Sequence, residues 1–483
     1  MDSTALCTLR DCTFAYSGEG AALRNVTLHV RAGELVMLVG PSGCGKTTAT
    51  RLVNGLAPRH FTGTLTGHAC TGGLEASRAP LESYARVVGS VFQNPKTQYF
   101  HARSTDELAF PCENAGMPAP QIRERVRQVA ARFGIADLLD RAIVNLSGGQ
   151  QQRLAVASAA VLEPAVMVLD EPTSNLDTAS MARLHGMIAA LKADGVAIVI
   201  AEHRLAWCAD LVDRYCVFDG GELLGAYTAR EFEALPATQR EAWGLRALDV
   251  SADRARIAEL ARAAHGEGAP VFGTRGLEVG YRKRALFRRG VEFSLRIPDV
   301  DVYGGQIVGI MGHNGAGKST FARTLCGLQA PLAGMVELGG EPASSSALSR
   351  AAALVMQDVH YQLFAESVRA EVMLETVRAG GELAAAREQC DALLGELDLL
   401  DVADRHPMSL SGGQKQRLAI AVALMGKKRF VVLDEPTSGL DRAHMMQVGA
   451  LLRELADRGV AVLVITHDDE LAAHWCDRIL ALD

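Results

Sequence analysis

The chain carries the same words twice, at a fixed distance. Residues 146–150 read LSGGQ and so do residues 410–414, 410 − 146 = 264 positions on. LDEPTS begins at Leu169 and again at Leu433, and 433 − 169 = 264. Gln93 and Gln357 keep the offset (357 − 93 = 264), as do His203 and His467 (467 − 203 = 264). A constant offset over four landmarks means that one folding unit has been duplicated. The 483 residues, too many for a single hydrophobic core, suit two domains. Lys46 and Lys318 break step, at 318 − 46 = 272, because the second half has a longer approach through Arg282, Lys283, Arg284, Arg288 and Arg289 that reads as a lengthened hairpin. Domains over 1–227 and 271–483 follow. The stretch 228–270 is expected to be a linker, since it is charged, alanine-rich and helically spaced, and ends in a turn-like run at 266–270.

Within each half, short apolar runs alternate with helix-like segments, the pattern of an α/β core with a largely parallel sheet. Residues 35–39 and 307–311 are expected to be strands, and each is followed by a glycine-rich loop. The first reads Gly40-Pro41-Ser42-Gly43-Cys44-Gly45-Lys46-Thr47-Thr48. The second reads Gly312-His313-Asn314-Gly315-Ala316-Gly317-Lys318-Ser319-Thr320. Both fit G-x-x-x-x-G-K-[ST], in which glycines let backbone N–H groups turn toward phosphates and the next helix presents its positive end. The lysine adds a charge near the β and γ phosphates, and Thr47 or Ser319 offers a hydroxyl to Mg²⁺.

Residues 165–170 and 429–434 are apolar runs ending in an acid, so Asp170 and Asp434 are expected to hold Mg²⁺. Glu171 and Glu435 follow at once, where a carboxylate could polarise attacking water, a role that contributes typically about 10² to 10⁴-fold. The plain alternative for either is a solvated surface glutamate, but strand ends are where catalytic groups gather in open α/β sheets.

With LSGGQ preceding an acid-terminated strand in both halves, the chain resembles the ABC ATPase superfamily over nearly its whole length. The resemblance implies two tandem P-loop NTPase domains. Each would have a RecA-like core, an antiparallel β subdomain and a helical subdomain, the last over about 93–150 and 357–414. It further implies that the two cassettes pair within one chain, that ATP with Mg²⁺ is the cofactor, and that the chain is an ATPase. Each ATP would lie between one phosphate loop and the other half's Ser147, Gly148, Gly149 and Gln150 or Ser411, Gly412, Gly413 and Gln414, a second anion cradle at a helix start. Carried over in the same way are Tyr16 and Tyr281 as adenine-stacking rings, Gln93 and Gln357 as coupling glutamines that also reach the metal, and His203 and His467 as γ-phosphate switches. Asp177 and Asp441 resemble the family's loop through which the sites sense each other. Closure of the cassettes on ATP, and release on hydrolysis, would then drive a partner.

Phe92-Gln93-Asn94-Pro95-Lys96-Thr97-Gln98, with Glu107, Phe110, Glu113 and Asn114 beyond, resembles the ATPases of energy-coupling-factor importers, the cobalt and vitamin group. The second half departs from this, keeping Gln357, Gln362 and Glu371 but no proline. Residues 201–205 resemble fused two-cassette members. This implies an integral membrane scaffold, a substrate-binding membrane subunit, and a peripheral place on the cytoplasmic face of the membrane. The cargo would be a vitamin, a vitamin precursor or a divalent metal ion. Two alternatives share the tandem cassettes: a sugar- or peptide-importer ATPase, whose fused forms commonly erode the second cassette, and a soluble translation factor acting on ribosomes. The latter usually bears a strongly charged interdomain helix, whereas 228–270 is mixed in sign.

Composition narrows the field further. The net charge is -7 without a dense basic block, so no nucleic-acid partner is expected. Apolar runs at 154–162 and 418–426 reach about half of the roughly 20 residues a membrane helix needs, and the first residues lack a signal-peptide pattern. The ten cysteines form no C-x-x-C pair, so reduced thiols are expected. Cys44, inside the first phosphate loop, is either a redox-sensitive thiol or a small buried loop residue.

Overall fold

The computed structural model describes residues 5–174, 176–263, 268–282, 291–357, 359, 362–378 and 382–482. Residues 283–290, where the lengthened hairpin was expected, and 264–267 lie outside these. The chain forms two compact units, one of residues 1–249 together with 439–443, the other of 250–438 together with 444–483.

The first unit is built on a six-stranded sheet in the order Glu222–Thr228, Arg214–Asp219, Leu35–Val39, Ala197–Ala201, Val166–Asp170 and Val88–Val91. All pairings are parallel except the first, an edge hairpin. Its inner strands Leu35–Val39, Ala197–Ala201 and Val166–Asp170 are buried on both faces, which is why they read as unbroken apolar runs. Leu35, Met37 and Val39 enter one core with Leu154, Leu184 and Ile188, while Val36 and Leu38 enter another with Phe14, Leu28 and Phe218. The second core is closed by an antiparallel sheet in the order Ala21–Arg31, Ala5–Tyr16, Gly63–Thr71 and Leu74–Glu75. The first core is closed in part by the helices Ser104–Asn114, Ala119–Arg132 and Gly148–Ala160. Central strands, an antiparallel sheet and a helical lobe thus make one cassette.

The second unit repeats the plan. A five-stranded parallel sheet runs Ala352–Val355, Phe430–Asp434, Ala461–Ile465, Ile307–Met311 and Arg478–Ala481. An antiparallel sheet centred on Phe272–Arg282 covers it, with Phe272 packed on Phe430 at 4.8 Å.

The residues read as a linker are folded where described. Helix Ala229–Glu233 belongs to the first unit: Phe232 is fully buried and stacks on Tyr215 at 4.1 Å. Helix Ser251–Leu260 belongs to the second, packing on Asp469–Trp475, with Arg254 Nε 2.9 Å from Asp469 Oδ2. Apolar burial explains the first attachment. Phe232→Ala is expected to lower the stability of the first unit by about 3–5 kcal/mol in denaturant unfolding, and a change under about 0.5 kcal/mol would show that the segment is a free tether.

Candidate functional site

In the first unit three adjacent strands end together. Leu38 and Asp170 both pair with Ala201, so the phosphate loop, Asp170-Glu171 and Glu202-His203 emerge side by side from the same sheet edge. The second unit does the same: Ile310 and Asp434 both pair with Ile465, just before His467. This is the crevice at the carboxyl ends of parallel strands, where ligands bind in open α/β sheets.

Glycine is required at both ends of each loop. Gly40 has φ +146°, and a Cβ there would lie 2.1 Å from the Phe218 carbonyl oxygen; Gly312 has φ +156° and would meet Leu482 O at 2.0 Å. Gly45 (φ +106°) and Gly317 (φ +100°) turn the chain into the helices Lys46–Val53 and Lys318–Leu325. Lys46 is buried and its Nζ donates to the Gly40 and Pro41 carbonyls at 2.8 and 2.9 Å. Lys318 Nζ donates to Gly312 and His313 at 2.7 and 3.0 Å, and lies 3.0 Å from His467 Nε2. His467 Nε2 is also 3.0 Å from Asn314 Oδ1. Each loop therefore closes around its own ammonium, a positively charged cradle.

Beside each cradle stands a hydroxyl and a carboxylate. Thr47 Oγ1 donates to Asp170 Oδ1 at 3.2 Å, and Ser319 Oγ to Asp434 Oδ2 at 2.7 Å. Burial pushes both aspartates up, against the pull of these hydroxyls and the nearby lysine. Two hard oxygen donors held together fit Mg²⁺, which keeps several waters and takes one or two carboxylates.

Glu171 and Glu435 adopt left-handed backbone at φ +44° and +51°, an uncommon state for glutamate that turns each side chain out of its strand toward the cradle. Glu171 Oε2 accepts from Gln93 Nε2 at 2.6 Å, and Oε1 lies 3.5 Å from His203 Nε2. Glu435 Oε1 stands 3.5 Å from His467 Nε2 in the second half. The Glu171 carboxyl is pushed up to about 8, first by burial, then by the Glu202 and Asp170 carboxylates, with Lys46 and Gln93 opposing. Near neutrality it can exchange a proton.

The tyrosines are tied to the phosphate-loop helices. Tyr16 hydroxyl lies 3.0 Å from Thr48 Oγ1 and accepts from Arg51 at 2.7 Å; Tyr281 hydroxyl accepts from Thr320 and Arg323, both at 3.3 Å. Ser147 and Ser411 each cap a helix in a reciprocal box with Gln150 or Gln414, whose side chain bonds back to the serine N–H. That box engages the glutamine locally, and a side chain added at Gly148 or Gly412 would meet open space. Gly149 is a packing glycine, since its Cβ would meet Ser180 Oγ at 2.1 Å. Cys44 is buried against Lys46, and burial raises its thiol, so it is a loop residue of low reactivity.

The ABC transporter family model matches residues 23–174 and 295–438, which span both phosphate loops and both LDEPTS strands. The chain is an ABC ATPase. As a member of that family it hydrolyses ATP. A Treponema denticola protein named as an ABC transporter ATP-binding protein is 39% identical over 479 residues, covering 98% of this chain and 95% of its own. A Bacillus subtilis protein named as an HMP/thiamine import ATP-binding protein is 30% identical over 508 residues, covering 99% and 90%. Among solved structures, an archaeal ribosome recycling factor bound to a ribosomal stalk protein superposes at a TM-score of 0.62 with 22% identity, covering 99% of this chain and 87% of its own, a likeness of fold alone.

The structure gives contacts to further residues whose partners the motifs do not name. Thr173 Oγ1 donates to Glu202 Oε2 at 2.7 Å, and the equivalent Thr437 (437 − 173 = 264) donates to Asp468 Oδ2 at the same distance. The acid sits before the histidine in one half and after it in the other, which hides the pair from a fixed-offset reading. Gln98 and Gln362 each bond the loop behind them, to Ser90 and Phe92 or to Leu354 and Met356. Buried Glu107 Oε2 accepts from Phe100 and His101 N–H at 3.0 and 2.9 Å; Glu371 does the same for Phe364 and Ala365 at 2.8 and 2.6 Å.

The raised Glu171 value has a stability consequence for the nucleotide- and magnesium-free protein. The folded state holds its proton up to about 8, whereas the ordinary value is 4.5. The contribution is present in full below 4.5 and is lost as pH rises through about 8. Thermal melts between pH 6 and 9 are expected to show a steeper decline for the wild type than for Glu171→Gln, whereas parallel declines would place the carboxyl in its ordinary range.

Proposed function

We propose that this ABC ATPase is the energy-supplying subunit of a membrane importer of the energy-coupling-factor group, its cargo a vitamin, a vitamin precursor or a divalent metal ion. One observation carries the reading. Phe100 and Val144 are 77% and 82% exposed, and Phe364 and Met408, at 364 − 100 = 264 and 408 − 144 = 264, are 79% and 48% exposed. In each half the two loops are stitched together, by Ser104 N–H to Arg141 O and by Val368 N–H to Arg405 O, both at 3.0 Å. A buried glutamate anchors the phenylalanine loop each time. Large apolar side chains held out into water at the same place twice suit a partner that makes an apolar contact with each cassette. The relative named for HMP/thiamine import, and the resemblance of residues 92–98 to vitamin importers, support a membrane scaffold as that partner. Among the described residues no helix is long and apolar enough to cross a membrane, so the spans would be the partners'.

At each site, Lys46 or Lys318 and the loop amides would hold the nucleotide phosphates, and Tyr16 or Tyr281 the adenine. Thr47, Asp170 and Gln93, or Ser319, Asp434 and Gln357, would hold Mg²⁺, which offsets phosphate charge when bound. Glu171 and Glu435 would take the proton of the attacking water on a carboxylate oxygen, with His203 and His467 placed to sense the γ-phosphate. Ser147 to Gln150 and Ser411 to Gln414 would serve as anion cradles through their helix-start amides. Changing Glu171 and Glu435 together to glutamine is expected to lower ATP turnover by about 10² or more while nucleotide is still bound. Turnover near wild type would reject both as bases.

Chain isolated from detergent-solubilised native membranes is expected to bring integral membrane proteins with it, and Phe100→Glu with Phe364→Glu to lose them while circular dichroism stays unchanged. Retention of those proteins by the double variant, or sedimentation of the wild type with ribosomes instead, would overturn the importer reading, the latter in favour of a translation factor.

A further inference from the structure

The first unit includes a short piece of distant sequence, residues 439–443. Asp441 Oδ2 accepts the Ser42 amide of the first phosphate loop at 2.7 Å. Gly439 is close to the candidate base: a Cβ on it would lie 3.2 Å from Glu171 Oε2 and 3.5 Å from Gln93 Nε2. Whatever holds residues 440–442 therefore controls what the loop and Glu171 meet.

That grip comes from the end of the segment following the first cassette. Arg246 is fully buried, and its Nε and Nη2 both donate to the Leu440 carbonyl, at 3.3 and 3.2 Å. Gly244 turns the chain at φ +69° after helix Ala237–Ala242, so that its carbonyl accepts the Arg442 N–H at 3.2 Å. Glu241 Oε1 pairs with Arg442 Nη2 at 3.2 Å. The same turn touches the phosphate loop, since a Cβ on Gly244 would stand 3.8 Å from Pro41 Cβ. Residues 241–246 thus contact the chain next to each partner of the Ser42–Asp441 bond, at Pro41 on one side and at Leu440 and Arg442 on the other. A buried guanidinium costs desolvation and is kept where its rigid fork fixes a geometry that an apolar side chain could not.

We propose that Arg246 is a positioning residue for ATP hydrolysis: by clamping the Leu440 carbonyl it sets Asp441 on the Ser42 amide and so fixes the shape of the first phosphate loop. It does not reach the reacting atoms. Its effect runs through backbone.

Amide hydrogen exchange on the intact chain, with ATPase kinetics alongside, tests this. Arg246→Met keeps the apolar stem and removes the fork. Exchange is expected to quicken by about tenfold in peptides covering 40–45 and 439–443, with 312–317 unchanged, as suits the loss of a charge-assisted hydrogen bond. Turnover is expected to fall by about tenfold with KM within about twofold, because positioning rather than nucleotide affinity is lost. Arg246→Lys retains a donor, and values between wild type and Arg246→Met are expected of it; should Arg246→Met fail to fold, Arg246→Lys carries the test by quickening the same two peptides alone. Unchanged exchange in 40–45 and 439–443, or equal quickening in 312–317, overturns the proposal.

Discussion

The structure turns on one electrostatic constraint: carboxylates crowded at the ends of neighbouring parallel strands. In the first unit burial raises the proton affinity of Asp170, Glu171 and Glu202, and at Glu171 the Glu202 and Asp170 carboxylates add to it. Such a cluster is stable only if donors and cations answer it. Lys46, the Thr47 and Thr173 hydroxyls and the Gln93 amide do so, from three different connections beyond the sheet. The acids therefore organise the loops, and the loops in turn form the phosphate cradle. A site that needs positive charge to relax its own carboxylates is also one that favours a metal and its nucleotide.

Duplication lets each half serve as a control on the other. Where both halves place different residues in the same geometry, the geometry is what the fold retains. Thr173 with Glu202 and Thr437 with Asp468 is one such case, and Phe100 with Val144 against Phe364 with Met408 is another. Both glutamates after the strand acids sit in left-handed backbone, a strained state reached at the same position in each cassette. The second half, whose coupling region departs from the vitamin-importer pattern in lacking the proline, nonetheless builds the same glutamine-buttressed and glutamate-anchored loop.

Much of this was legible because the chemistry is local. A phosphate loop must be glycine-rich where its backbone approaches Phe218 or Leu482, and strands buried on both faces must read as apolar runs, so loops, strands and acids could be placed by pattern alone. Residues acting through long-range packing gave no such signal. Phe232 looked like part of a charged connecting stretch until Tyr215, 17 residues earlier (232 − 215 = 17), was seen to stack on it. Arg246 was one arginine among many, since its partner carbonyl lies 194 residues away. Glu202 carries no repeat signal of its own, because its counterpart is an aspartate at another offset.

The central claim is that both halves are working nucleotide sites, each with its own cradle, hydroxyl–carboxylate pair and glutamate. Equilibrium dialysis of the intact chain against a hydrolysis-resistant ATP analogue with magnesium measures this most directly. The account predicts two nucleotides retained per chain. One nucleotide, or none, would contradict it.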